Sequence, residues 1–182
     1  FIEVDKYLET NVKGIWAIGD IIGKYLLKHS ANMEAHYCAQ NAFNNKLEVD
    51  YKAMPHAIFT YPQIAGVGYT EQELKEKKIK YLKGRYNYID TGMGKAKEEK
   101  DGFVKVFIDP NTRKILGCYI LGSDAPTLIH EVIIAMKNDL TADDVIKTVH
   151  IHPALSEVVL RAFLSIKKEN NYAGKLESEE EL

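Results

Sequence analysis

The chain has 182 residues, 46% of them hydrophobic, with 24 Lys+Arg against 26 Asp+Glu and a formal net charge of −2. That length suits one domain, or one domain and a piece of another, and can bury about 70% of its unfolded surface without covalent staples. The near-neutral balance gives no electrostatic case for a nucleic-acid partner, and no run approaches the ~20 apolar residues that span a bilayer. The chain starts at Phe1 without a signal-peptide pattern. Cys38 and Cys118 stand 80 residues apart, which is neither a metal spacing nor that of a redox pair. Both are expected to be reduced core cysteines of a cytoplasmic protein, and no metal site is expected.

Residues 1–50 do not read as the start of a domain. Phe1 to Thr10 predicts a short extended piece and Asn11-Val12-Lys13-Gly14 a turn. Ile15-Trp16-Ala17-Ile18 is a continuous apolar run, too short for a helix and unalternated, as a strand buried on both faces would be. Gly19-Asp20 follows at once. Glycine permits close backbone approach to a ligand, and an aspartate at a strand's carboxyl end suits hydroxyl recognition, although a plain turn accounts for the same residues. His29 to Phe43 has helical period, its small residues (Ala31, Ala35, Ala39, Ala42) suiting tight packing on a sheet. Asn44-Asn45-Lys46 ends that helix, and Glu48 to Pro55 reads as a linker.

From about Tyr51 the character changes. Ala57-Ile58-Phe59-Thr60 and Ile64 to Tyr69 predict short strands around a Tyr61-Pro62 turn. Thr70-Glu71-Gln72-Glu73 is a capping box for a charged surface helix to about Lys78. Ile79 to Tyr88 predicts a strand with Tyr86 and Tyr88 on alternate positions, and Thr91-Gly92-Met93-Gly94-Lys95 a connecting loop, not a phosphate cradle. Gly102 to Ile108 and Ile115 to Leu121, joined by Asp109-Pro110-Asn111-Thr112, predict an antiparallel hairpin. Pro126 to Lys137 is helical in period and apolar enough to be buried between sheet and partner; Thr141 caps a helix from Ala142 to Val149. A last helix runs from Glu157 to about Lys168, and the acidic run Lys175 to Glu181 reads as a disordered, solvated tail. The fold class expected is α+β, an antiparallel sheet with helices packed against it, preceded by a strand–helix remnant of an α/β domain.

The stretch with most chemistry is His150-Ile151-His152-Pro153-Ala154-Leu155-Ser156-Glu157. Pro153 forbids a helix running through from Val149 but suits the first position of a new one, which leaves His152 just outside a helix start. Glu157, five residues on, lies about one and a half turns in, where its carboxylate can reach the ring. A carboxylate bonded to a histidine fixes the tautomer and raises the basicity of the other nitrogen, as a general base needs. A helix cap with an exposed glutamate explains the same pair.

The string HIHPALSE resembles the carboxy-terminal signature of the class I pyridine-nucleotide disulfide oxidoreductases, and within them the dihydrolipoamide dehydrogenase branch. The resemblance implies that His152 is the acid/base for a substrate thiol and Glu157 its orienter, with His150 in support, acting opposite a redox disulfide and flavin of the other subunit of a homodimer. TNVKGIWAIGD resembles the family's second flavin motif, which implies that Asp20 holds a ribityl hydroxyl of FAD. Leu26-Leu27-Lys28-His29 is similar to the segment whose backbone amides lie by the flavin ring at a helix start. It departs from the commoner pattern, with Lys28 where alanine is usual and Ser30 where lysine follows the histidine. Tyr51 to Lys168 resembles the family's interface (dimerisation) domain. On this reading the domains are 1–50, the remnant of an FAD-binding domain; 51–168, the dimerisation domain; and 169–182, the tail.

No G-x-G-x-x-G and no closely spaced cysteine pair are present. The expectation is a carboxy-terminal portion, cut upstream of Phe1, that supplies the base and the dimer contact but cannot by itself bind NAD or pass electrons. Its implied reaction is oxidation of dihydrolipoyl thiols via FAD to NAD, with the substrate carried on a 2-oxoacid dehydrogenase complex as one possibility. The alternatives are a mercuric reductase, against which Glu177 to Leu182 lacks a cysteine pair; a glutathione reductase-like enzyme, against which His150 and Leu155 weigh; and a non-catalytic dimerisation or scaffold module.

Overall fold

A computed structural model describes residues 1–166 of the chain. The end of the last helix toward Lys168 and the acidic run lie outside the described residues. Two units are distinguished, Phe1–Lys52 and Ala53–Leu182.

The second unit is built on period-2 alternation. Strands β1 (Pro55–Ile58), β2 (Ile64–Gly68), β3 (Leu82–Asn87), β4 (Phe103–Ile108) and β5 (Ile115–Leu121) form one sheet in the order β1-β2-β5-β4-β3. Every neighbouring pair is antiparallel. Val104 pairs with Ile120 and Val106 with Cys118, so these four buried side chains fall on one face. The connecting turn is held by the Asp109 carboxylate, which accepts the Asn111 and Thr112 backbone N–H groups at 2.9 and 2.7 Å. The α+β class and its antiparallel sheet are as expected from the sequence.

Helices cover both faces. On one, α2 (Glu71–Glu76) buries Leu74 against Tyr81 and Phe107. Its capping box is complete: Thr70 Oγ1 accepts the Glu73 N–H, and the Glu73 carboxylate accepts the Thr70 N–H. On the other face, the core of Ala65, Val67, Val104, Val106, Cys118 and Ile120 meets the helices α4 (Ala125–Leu128), α5 (His130–Lys137), α6 (Ala142–Lys147) and α7 (Glu157–Leu164). Val158, Val159, Ala162 and Phe163 of α7 are all buried. A β-carbon on Gly84 of β3 would lie 2.1 Å from the Ala162 carbonyl oxygen, so α7 approaches β3 as closely as a bare backbone allows.

Several expectations need correction. Thr91–Lys95 is not a loop: after a helical turn at Tyr88–Asp90, α3 (Gly92–Ala96) starts from a cap in which Thr91 Oγ1 accepts the Gly94 N–H at 3.0 Å. Its glycines look like loop signals, yet Gly94 is there because a side chain would collide with the Tyr88 carbonyl. Tyr88 itself lies beyond β3, fully buried, its hydroxyl donating to the Ser123 carbonyl at 3.0 Å. The helix expected over Pro126–Lys137 is two, parted at Ile129, where the Val132 N–H reaches back only three residues. Helix α6 stops at Lys147, because Thr148 turns extended. Pro153 does not open a helix. The His152–Pro153 peptide is cis, as is Tyr61–Pro62, and α7 begins at Glu157.

In the first unit, Phe1 to Thr10 folds back on itself through a Val4–Thr10 bridge. Ile15–Ile18 is not a buried strand: among the described residues it makes one bridge, Glu9–Trp16, and Ile15 is exposed. A strand buried on both faces needs ladder partners, and Leu8–Thr10 offers only a fragment of one. Helix α1 (Lys28–Ala42) forms as predicted, but it buries Ser30, Glu34 and Asn41 in place of its alanines. Cys38 and Cys118 are both free, and burial pushes the Cys118 thiol well up.

Because α7 carries Glu157 at its first residue, its seat on β3 also positions that carboxylate. Replacing Gly84 by alanine is expected to lower stability by about 2–3 kcal/mol, read as an earlier urea midpoint by circular dichroism.

Candidate active site

The connection from α6 to α7 brings His152 and Glu157 together. The His152 Nδ1 lies 2.9 and 3.0 Å from the two Glu157 carboxylate oxygens, and the Ala154 backbone N–H donates to Oε2 at 3.1 Å. Those bonds, together with the favourable field at a helix amino terminus, account for a carboxylate at a position only 9% exposed. They hold the Glu157 carboxyl below the usual carboxylate range, the His152 bond contributing most. An ionised carboxylate can only accept, so Nδ1 carries a hydrogen and Nε2 is the nitrogen the pair leaves open. The His152 side chain is 73% exposed. At its edge, a β-carbon on Gly92 would make an ordinary 3.5 Å contact with Cε1.

His150, two residues back, points inward. Its side chain is only 6% exposed, its Nδ1 stands 2.9 Å from the Thr148 carbonyl oxygen, and its Nε2 stands 3.0 Å from Glu131 Oε2 on α5. Sequence reasoning did not find Glu131. It is nineteen residues away in the chain, and no local pattern marks it.

The remaining predicted residues lie in the first unit. Asp20 is exposed, in a helical turn spanning Gly19–Ile22. Leu26 and Leu27 lead into α1, whose first residues are Lys28 and His29, and no side chain caps this helix start. Its amino-terminal amides, without a capping oxygen or an acidic side chain in the first turn, suit an electron-rich ligand group. Gly19 has φ +73°, and a β-carbon there would press on Ala31 of α1 at 3.3 Å, so the turn lies close against the helix. A second residue missed by sequence reasoning holds it there. Glu34, fully buried on α1, accepts the Gly19 N–H at 2.7 Å and the Tyr51 hydroxyl at 3.0 Å. Burial, and then the bond to Glu34, push the Tyr51 phenol up, which keeps it a donor.

The second unit is thus an antiparallel sheet flanked by helices on both faces, with a His–carboxylate pair where α7 begins. The chain belongs to the pyridine nucleotide-disulphide oxidoreductases, residues 54–163 matching the dimerisation domain of that family. It is 38% identical over 168 residues to the dihydrolipoyl dehydrogenase of Cupriavidus necator, covering 92% of this chain and 35% of that protein. It is also 35% identical over 164 residues to the leghemoglobin reductase of Glycine max, covering 90% of this chain and 31% of that protein. The chain thus spans about a third of the length of the curated relatives it matches. Among solved structures, LpdA from Mycobacterium tuberculosis shares the fold at a TM-score of 0.84 and 24% identity, over 90% of this chain and 36% of that one. The HOCl-induced flavoprotein disulfide reductase RclA from Escherichia coli shares it at 0.83 and 24%, over 91% and 38%.

Two outcomes follow from the buried carboxylates. Glu34→Leu leaves the Gly19 N–H and Tyr51 hydroxyl unpaired and is expected to cost about 2–5 kcal/mol, with Glu34→Gln costing less; urea unfolding followed by Trp16, the single tryptophan, measures both. A carboxyl whose folded pKa is depressed stabilises above its unfolded value, about 4.3, and loses that contribution as pH falls through the folded one. The Tm difference between the unmodified chain and Glu157→Gln is therefore expected to be full at pH 6–7 and to shrink below about pH 4.

Proposed function

We propose that this chain is the carboxy-terminal part of a flavin-dependent dihydrolipoyl dehydrogenase, and that its dimerisation unit presents His152 as acid/base to the partner subunit of a homodimer. The observation that carries the reading is the paired Nδ1 of an exposed ring, which leaves Nε2 as the open base. A free thiol has a pKa of about 8.5 and is only a few per cent thiolate at neutral pH. On this reading His152 Nε2 takes the proton of a dihydrolipoyl thiol, and Glu157 keeps the Nδ1 proton in place and offsets the charge of the imidazolium that forms. The thiolate then attacks a disulfide carried by the rest of the enzyme, and the proton stays on the ring until product leaves. His150 serves in support.

The first unit fits FAD through Asp20 and through the backbone of Leu26, Leu27, Lys28 and His29 at the uncapped start of α1. Bound FAD supplies two-electron redox chemistry. Asp20 is suited to a hydroxyl and the helix start to negative charge. NAD belongs to the same reading as the electron acceptor, but this sequence contains no G-x-G-x-x-G to which it could be assigned. The dimer contact is assigned to residues 51–168, and the 2-oxoacid dehydrogenase complexes are the natural carriers of a dihydrolipoyl group. Two free cysteines suit a cytoplasmic setting.

In the intact enzyme, His152→Gln is expected to leave FAD absorbance and the dimer unchanged while slowing dihydrolipoamide oxidation by 100-fold or more. Unchanged turnover removes His152 from the chemistry, and faster turnover with glutathione disulfide moves the enzyme to the glutathione reductase-like branch.

A further inference from the structure

We propose that Glu131 and His150 are positioning residues for His152: their hydrogen bond, made by a buried His150 ring, anchors the segment between α6 and α7 to α5 and so fixes where the His152 ring stands. The inference rests on His152 being the base proposed above. The segment has little else to hold it. Val149 is 95% exposed and Ile151 76%, and the one side chain turned inward between them is His150. That ring is held at both nitrogens, to the Thr148 carbonyl and to Glu131. His152 is two residues further on, a chain reach of about 7 Å. Its ring is tied at the other end to Glu157 of α7. The segment is therefore pinned to one helix by His150 and to another by His152, with only Ile151 between.

Proton placement makes the first pin specific. A carbonyl oxygen can only accept, so His150 Nδ1 carries a hydrogen, and the 3.0 Å contact of Nε2 with Glu131 Oε2 needs one further proton between them. The other oxygen of Glu131, Oε1, is buried without a hydrogen-bond partner among the described residues. An unpaired oxygen costs far less on a neutral carboxylic acid than on a carboxylate. Burial also pushes the Glu131 carboxyl up, against the pull of the neighbouring imidazole. A single proton between His150 Nε2 and Glu131 Oε2 closes that bond. A glutamine can make the same bond from its amide, whereas leucine cannot.

In the intact enzyme, Glu131→Leu is expected to lower kcat for dihydrolipoamide oxidation about tenfold or more with KM within about twofold, because the base is displaced while substrate binding is not. Glu131→Gln is expected to recover kcat to within about threefold. Equal kcat in Glu131→Leu and the unmodified enzyme, or equal loss in both variants, overturns the proposal. His152→Gln measured alongside separates the two readings. If it too retains full turnover, the assignment of the base has failed; if it alone is slow, only the positioning role has. Should Glu131→Leu not fold, His150→Phe keeps a ring in the core while removing both anchors, and the same loss of kcat is expected. Independently of any variant, ring nitrogen shifts of the unmodified protein at pH 7 are expected to show Nδ1 protonated at both His150 and His152. A His150 ring protonated on Nε2 alone overturns the proposal.

Discussion

One carboxylate at the first residue of α7 ties backbone to chemistry. Glu157 accepts the Ala154 N–H, which closes the turn after Pro153, and the His152 Nδ1–H, which orients the ring. A glutamate so little exposed is costly unless every lone pair it must satisfy is met, and here the two donors and the helix amino terminus act together. The tautomer of His152 then follows without any further contact. With Nδ1 committed, Nε2 is the nitrogen left to face whatever arrives from solvent or from a partner.

That arrangement depends on the sheet beneath it. Glu157 is where it is because Val158, Val159, Ala162 and Phe163 seat α7 on the core, and because Gly84 lets the helix backbone settle against β3. The alternation of β4 and β5 supplies the surface that those residues meet. A site at the amino end of a helix inherits the precision of the packing along that helix's whole length. For the same reason the opposite sheet face, with α2 and its Leu74–Tyr81–Phe107 cluster, matters to the site even though it contributes no side chain to it.

What was legible in the sequence was what local rules decide. The Thr70 capping box, the Thr141 cap, the β4–β5 hairpin and the α1 helix follow from residues within a few positions of one another, and the structure contains all of them. The approach of His152 to Glu157 was also readable, although Glu157 opens the helix and does not sit a turn and a half inside it. Errors arose where tertiary contact overrode the local signal. Gly92 and Gly94 read as loop, but Thr91 caps them into helix and close packing on Tyr88 requires the second. The apolar Ile15–Ile18 read as a strand, but apolar character cannot supply ladder partners. Glu34 and Glu131 were invisible for a different reason: each meets its partner across fifteen or more residues, and a lone glutamate in a helical pattern reads as solvated surface.

The two His–Glu pairs of the dimerisation unit show how the hydrogen-bond partners of the carboxylate divide one pair of side chains into two arrangements. At Glu157 the carboxylate is met by a backbone N–H as well as the ring, its pKa falls, and it stays ionised, so the exposed imidazole keeps an open nitrogen. At Glu131, among the described residues, no backbone donor arrives and one oxygen is left unpaired; burial raises its pKa, and both nitrogens of the buried His150 ring are hydrogen-bonded. The first pair leaves a ring nitrogen open to solvent; the second leaves none. A connection this short and this exposed gains from carrying both, because an imidazole free to pick up a proton is also free to swing unless something nearby is not.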